Sequence, residues 1–252
     1  MSSTLTFLTW NLAMLARSAQ APPWWTQEHS QLAVRERVLA AEPDLVLFQE
    51  LPRLVPYVET HDMLRANPAT HQGNLAVLVS NEVLTTEREV HADGPLVAVV
   101  EGCAVLATFT SGLTVANVHL APGPAATAER FEQLARIVEL SPTPDLLVVG
   151  DTNTRVDEID TIAAAGLVGA PPPHPTWDSR RNRFNPSGPE FVAYFTRWLA
   201  TERIIVDEVG VATDPVVHDG RRFHVSDHYP LTGRAHLDRG RAGAGDGQGA
   251  DR

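Results

Sequence analysis

Apolar positions fall along this chain in two rhythms, and the switching between them predicts an α/β fold. Short, nearly continuous apolar runs at 5–12, 45–48, 75–79, 96–100, 105–109, 113–118 and 146–149 have the length of buried strands. Elsewhere the apolar residues move to helical spacing. Residues 28–41 carry Leu32, Val34, Val38 and Leu39 at that spacing, and Pro43-Asp44 ends the helix. Pro124 opens a second helix with Phe131, Leu134, Ile137 and Val138 as its apolar face; a proline in the first turn loses no useful N–H. Residues 157–165 predict a third, closed by Gly166, and residues 52–64 a short further helix.

Residues 74–119 read as antiparallel hairpins, because turn chemistry at Asp93-Gly94, Glu101-Gly102 and Ser111-Gly112 separates the runs. The segment 170–189 is rich in Pro, Arg and Asn and reads as a surface loop, with last strands at 191–199, 204–211 and 229–235. Beyond Leu237 the composition collapses to Gly, Ala, Asp and Arg. That predicts one domain over 1–237 and a disordered tail over 238–252.

Composition narrows the chemistry. At 252 residues and 43% apolar content the chain can bury one large core. No stretch approaches the ~20 apolar residues that span a membrane, and the first run reads as a core strand rather than a leader, so the expected location is cytoplasmic. The single cysteine, Cys103, excludes an internal disulfide and a cysteine-rich zinc site. The net charge is −11 and the sequence has no lysine, which removes Schiff-base chemistry and a P-loop lysine together. An acidic chain is poorly suited to tight non-specific duplex binding. It suits a small phosphorylated molecule or a nucleic-acid end gripped by a few local arginines, and implies neither a membrane nor an obligate protein partner.

The apolar runs matter most for what ends them. Asn11 closes Thr9-Trp10-Asn11, Glu50 closes Phe48-Gln49-Glu50, and His119 follows Asn117-Val118. Asp151 and Asn153 lie in Gly150-Asp151-Thr152-Asn153, and Asp227 and His228 in Ser226-Asp227-His228. Taken singly, such residues are more often turns, caps or packing. Together they are what phosphate ester hydrolysis needs: oxygen ligands for a hard cation, a carboxylate to take a proton from water, and N–H donors for the phosphate oxygens. No Gly-x-Ser-x-Gly turn supports a serine hydrolase.

With Gly73-Asn74-Leu75-Ala76-Val77-Leu78 added, these blocks run in an order that resembles the endonuclease/exonuclease/phosphatase (DNase I-like) superfamily, over nearly all of the chain to about Leu231. The resemblance implies a four-layer α/β/β/α sandwich, two mostly antiparallel sheets face to face, with the site at one edge. It implies Mg²⁺, with Mn²⁺ as a substitute, bound by Glu50 with Asn11 and Asp227 nearby. Asp151 and Asn153 would orient the attacking water and the phosphate, and His119 and His228 would donate to phosphate oxygens. Asn74, Trp177, Arg180 and Arg181 are expected to contact substrate. The implied activity is metal-dependent hydrolysis of a phosphate ester (phosphodiesterase, phosphomonoesterase or nuclease) by direct attack of water.

Two departures from the family pattern stand out. Members usually carry Arg-x-Asp before the final Asp-His, and that aspartate holds the second histidine; here residues 193–199 place Thr196 there, with Asp178 as a candidate substitute. An acidic partner for His119 is not evident, Asp93 being the nearest. The alternative reading is therefore a weak or inactive member of the same fold that binds phosphate or nucleotide. Trp24 and Trp25 are expected to anchor a loop, with base stacking at the site mouth as the other possibility, and Arg221 and Arg222 to be either solvated or phosphate-binding.

Overall fold

A computed structural model describes residues 4–13, 23–51, 56–67, 74–177 and 196–238. The elements run β1 (Thr4–Asn11), α1 (Gln27–Ala41), β2 (Leu45–Leu51), β3 (His61–Asn67), β4 (Asn74–Ser80), α2 (Asn81–Val90), β5 (Leu96–Val100), β6 (Ala104–Thr108) and β7 (Leu113–His119). They continue as α3 (Thr127–Leu140), β8 (Asp145–Asp151), α4 (Ile159–Ala164), β9 (Trp198–Ala200), β10 (Ile204–Val211), β11 (Val216–His218), β12 (Arg221–Phe223) and β13 (Leu231–Leu237). Single 3-10 turns at Pro124–Ala126 and Val156–Glu158 lead into α3 and α4.

Six strands form one sheet in the order β10-β13-β1-β2-β4-β3, and five form another in the order β5-β6-β7-β8-β9. Each sheet contains one parallel pair, β1 with β2 and β7 with β8, and is otherwise antiparallel. Strands β11 and β12 make a separate small hairpin.

The continuous apolar runs follow from burial on both faces, and strand alternation sorts them into layers. Phe7, Leu45, Leu47 and Val77 of the first sheet meet Val105, Val115, Leu147 and Val149 of the second in one core. Their neighbours point outward. Leu8, Val46, Phe48 and Leu78 pack with Val34 and Val38 of α1, and Leu106, Val118, Leu146 and Val148 pack with Leu134 and Ile137 of α3 and Ile162 of α4. The result is the expected α/β/β/α sandwich. At the crowded β7–β8 contact a Cβ on Gly150 would lie 2.2 Å from the Val118 carbonyl oxygen, so only glycine fits there.

Several element readings need correction. The expected helix over 52–64 is replaced, within the described residues, by a turn at 59–60 and strand β3 from His61. The stretch 74–119 is not hairpins alone: α2 intervenes, capped by Ser80 accepting from the Val83 amide. Glu87 of that helix is buried and accepts from the Thr110 amide and hydroxyl, both at 2.8 Å, which holds α2 in place. Leu32 and Val138, assigned to apolar helix faces, are exposed, while Ser30 and Arg130 are buried on those helices. Of the strand read at 191–199, residues 191–195 lie outside the described residues and the strand found is Trp198–Ala200, and the last strand runs Leu231–Leu237 rather than 229–235. The tail after Asp238 lies outside the described residues. Among them, no helix is long and apolar enough to cross a membrane.

Candidate active site

The two parallel pairs decide where the polar strand ends gather. In β1–β2, Asn11 stands opposite Gln49, one residue before Glu50. In β7–β8, His119 stands opposite Asp151. Strand β13 runs antiparallel to β1, pairing Leu231 with Thr9, so the preceding Asp227-His228 enters at the same end. All these residues therefore sit on one edge of the sandwich.

The two sheets are tied directly beneath them. Asn117 of β7, fully buried, donates to the carbonyl oxygens of Phe48 (3.0 Å) and Ala76 (2.9 Å) in the opposite sheet. Its own Oδ1 accepts from Gln49 Nε2 at 2.8 Å. Phe48 and Ala76 are the last paired residues before the β2–β4 register shifts, and Leu51 then pairs with Asn74. Glu50 lies in that bulge with φ 50°, a left-handed conformation that re-aims its side chain. Asn74 sits at the same end.

Asn11 links the two sheets' carboxylates. Its Nδ2 donates to Glu50 Oε1 (3.0 Å) and Asp151 Oδ2 (2.9 Å), while its Oδ1 accepts from the Ala13 amide. His119 Nε2 faces Glu50 Oε1 at 3.8 Å and Asp151 Oδ2 at 3.9 Å. His228 Nε2 faces Asp151 Oδ2 at 3.7 Å and Asp227 Oδ1 at 3.8 Å. These separations exceed hydrogen-bond length, so the imidazole edges look toward the carboxylates without binding them. Asp151 is the inner carboxylate, its side chain 3% exposed against 17% for Glu50 and 22% for Asp227. Asn153, at φ 51°, donates to the Leu120 carbonyl and joins the loops that follow β7 and β8.

The Asp227-His228 corner is braced on both sides. Ser226 Oγ donates to the Asn11 carbonyl at 2.6 Å and accepts from the His228 amide at 3.0 Å, and Trp10 Nε1 donates to the His228 carbonyl at 2.8 Å. Trp177 forms a β-bridge with His228 and donates from Nε1 to Asp227 Oδ2 at 3.3 Å. Trp177 thus stands beside the cluster. Arg180, Arg181 and Asp178 lie outside the described residues.

The residue that sequence reasoning missed is Arg197. Its side chain is buried, donating from Nη1 to Asp151 Oδ1 and from Nε to Thr176 Oγ1, with Nη2 3.2 Å from His228 Nδ1. Thr196, expected opposite His228, points elsewhere: its hydroxyl donates to the Trp198 carbonyl and accepts from the Trp198 amide. The signal was present, because an arginine embedded in the apolar stretch 194–200 must be buried, and a buried arginine needs acceptors. Asp93 is exposed in the turn before β5, and His119 Nδ1 has no hydrogen-bond partner among the described residues.

Burial sets the protonation of the cluster. It drives His119 down to about 4, with help from the Arg197 charge. Burial, Arg197 and His119 together hold His228 well below the ordinary histidine range. Burial also lowers Arg197 to about 9, against the attraction of Asp227, which leaves it charged at neutral pH. The cluster therefore presents carboxylates, one guanidinium and two neutral imidazoles.

That donor set suits a hard cation. Carboxylate oxygens predominate, with the Asn11 amide N–H turned toward them, and the one cysteine, Cys103, is buried in the outer core beneath α3 and α4 with its thiol raised to about 11. Among the described residues no three acidic, histidine or cysteine side chains are grouped so that together they could hold a metal ion. Mg²⁺ needs no such group of three, since it keeps several waters and takes one or two carboxylates from the protein. Glu50 and Asp227 could hold such an ion, while Asn11, whose Oδ1 is taken by the Ala13 amide, supports Glu50 from beside it.

Trp24 and Trp25 behave as the expected anchor. Trp25 is buried against Phe223 at 4.4 Å between ring centroids and donates to Ser30 Oγ, and Trp24 packs edge-on to both rings. Arg221 and Arg222 are exposed on β12, with Arg221 5.2 Å above the Trp24 ring.

Fold and site together define a two-sheet sandwich with an acid, amide and imidazole cluster at the strand ends. Comparison with known proteins agrees: residues 8–228 match the Endonuclease/Exonuclease/phosphatase family, and the chain belongs to it. Members of that family are phosphoric ester hydrolases. No curated protein sequence matches the chain. Among solved structures, the Danio rerio TDP2 complex with single-strand DNA product is similar at TM-score 0.61 and 15% identity, covering 94% of this chain and 100% of that one. Truncated Caenorhabditis elegans TDP2 gives 0.59 and 16%, covering 93% and 98%. The human Nocturnin catalytic domain with bound sulfate gives 0.55 and 13%, covering 94% and 96%. At these identities the likeness is one of fold.

Proposed function

We propose that this protein is a cytoplasmic, Mg²⁺-dependent phosphate ester hydrolase that uses a directly attacking water and forms no covalent intermediate. The observation that carries the reading is the meeting of Glu50, Asp151 and Asp227 with His119 and His228 around Asn11, on side chains drawn from both sheets. Glu50 and Asp227, the two more exposed carboxylates, would hold the ion, with Asn11 beside them. When bound, the ion neutralises phosphate oxygens and favours their displacement chemistry.

Every other step belongs to side chains of the protein. Asp151 is fixed by Asn11 and Arg197 and accepts the proton of the attacking water. The water oxygen bonds to phosphorus, the P–O ester bond breaks, and the bonding pair leaves on the ester oxygen. Asn153 steadies the water and the phosphate. His119 and His228, neutral through burial, each offer one N–H to the oxygens on which charge grows, and rigid donors of this kind cost no reorganisation.

For substrate we favour a small phosphorylated molecule or a single-stranded nucleic-acid end. Net charge −11 supports this, as does the single-strand DNA product bound by the similar TDP2 fold. In this reading Trp177 and Asn74 contact the substrate, together with Arg180 and Arg181, which follow Trp177 in sequence. The test is hydrolysis of bis-nitrophenyl phosphate with Mg²⁺ or Mn²⁺. Metal-dependent turnover that disappears in Glu50→Ala and Asp151→Ala supports the proposal; phosphate or Mg²⁺ binding without turnover under any metal supports the binding-only alternative. A steep loss of activity between low and moderate salt would point instead to a duplex nuclease.

A further inference from the structure

One buried guanidinium touches both the residue assigned to receive a proton and a residue assigned to donate one. We propose that Arg197 is a positioning residue that fixes the proton pattern of the site, holding Asp151 as an acceptor and His228 as the tautomer protonated on Nε2. The proposal rests on the hydrolase reading for its catalytic meaning, but not for its geometry.

A guanidinium has N–H donors and no acceptor. Arg197 Nη2 lies 3.2 Å from His228 Nδ1, so a hydrogen bond between them requires a bare nitrogen at Nδ1. The ring proton is then on Nε2, the atom that faces Asp151 Oδ2 at 3.7 Å and Asp227 Oδ1 at 3.8 Å. A doubly protonated ring would set N–H against N–H and cation against cation in a buried place. A proton on Nδ1 alone would turn the bare nitrogen toward two carboxylates.

The guanidinium cannot turn away from this task. Its Nη1 donates to Asp151 Oδ1 and its Nε to Thr176 Oγ1, while its own carbonyl accepts from the Gly150 amide at 3.0 Å. His228 is held just as firmly, by Trp10 at its carbonyl and Ser226 at its amide. With the His228 backbone anchored and the guanidinium fixed, the contact at Nδ1 is what orients the ring. Lysine could not reproduce this, because an ammonium lacks the planar fork that reaches Asp151 and His228 together.

The test needs no variant to begin with. Protein labelled with ¹⁵N in its histidine rings, at pH 7.5 with and without Mg²⁺, should show one imidazole with a protonated Nε2 and a bare Nδ1 that vanishes from the spectrum in His228→Gln. A proton found on Nδ1 of that ring would overturn the proposal, whether or not the protein turns over any ester. In Arg197→Met the same ring should become a mixture of tautomers, and kcat should fall about 100-fold with KM changed less than about threefold. Arg197→Lys should recover part of kcat and leave the mixture. An unchanged tautomer in a folded Arg197→Met protein would also overturn the proposal. Should that protein not fold, the wild-type spectrum still decides. A correct tautomer in a protein that hydrolyses nothing would leave the positioning role intact and remove the hydrolase reading instead.

Discussion

Among the described residues two arginines, Arg130 and Arg197, are buried, and they are used in opposite ways. Arg130 of α3 is fully buried, donating to Glu158 from Nε and Nη2, to the carbonyls of Ala121 and Gly123 at 2.8 Å, and to Thr127. Glu158 in turn accepts from the Thr127 hydroxyl at 2.8 Å and the Arg155 amide at 3.0 Å. Every one of these partners is part of the framework. The pair pins the loop after His119 to the segment after Asn153, and its bonding is complete within itself. Arg197 is as deeply placed, yet its fork ends on Asp151 and His228, side chains proposed to take part in the reaction. Burial of a guanidinium therefore does not reveal its purpose; the chemistry of the acceptors does.

The sharpest way to separate the regions is to remove charge from the site and from the framework in turn. Glu50→Gln keeps size and hydrogen bonding at a side chain that reaches solvent. It should lower hydrolysis of a model diester by about 10³-fold, an electrostatic loss of the size expected at such sites, with thermal stability little changed in a melting experiment. Arg130→Met should do the reverse. Breaking one half of a buried ion pair costs about 3–5 kcal/mol, which urea denaturation would register, while kcat per folded molecule stays within about tenfold of wild type.

A paired replacement sharpens the contrast. Arg130→Met with Glu158→Leu should be more stable than Arg130→Met alone, because no orphaned carboxylate remains inside. The matching change at the other arginine, Arg197→Met with Asp151→Leu, should relieve instability in the same way and leave no turnover at all. The smallest effect is in acid. Burial pushes Glu158 up, but hydrogen bonds from Arg130, Thr127 and the Arg155 amide outweigh it, so its folded pKa lies below 4.5. Its contribution to stability is then full above pH 4.5 and is lost as pH falls through the lower folded value. Glu158→Gln should flatten that part of a stability-versus-pH curve.

What could be read from the sequence followed the same division between local pattern and long-range partnership. Runs such as 45–48 and 146–149 announced central strands because both their faces are buried, and the residues ending them announced the site. Strand β3 was misread because it is an edge strand: Asp62 and Met63 are both exposed, so no clean alternation marks it. Helix α2 was hidden among strands because its capping residue, Ser80, also ends β4. The identity of the group behind His228 was set by which of Thr196 and Arg197 turns toward it, a matter of one position. Thr196 and Arg197 differ by a single step along the chain, and the step exchanges a hydroxyl turned to its own backbone for a cation turned to the imidazole.

Asn117 carries a consequence of a different kind. Asn11, Glu50, Asp227 and His228 ride on one sheet, and His119, Asp151 and Asn153 on the other, so the reacting cluster is divided between two rigid plates. Sheets joined by apolar side chains alone can shear by small amounts with little loss of contact. An amide that grips two carbonyls across the interface removes that freedom at the very edge where the halves must meet, and it does so without approaching the substrate. The alignment of the reactive groups is thus entrusted to a side chain in the dry interior, and a change as slight as Asn117→Leu would blur it while leaving every reactive residue in the sequence untouched.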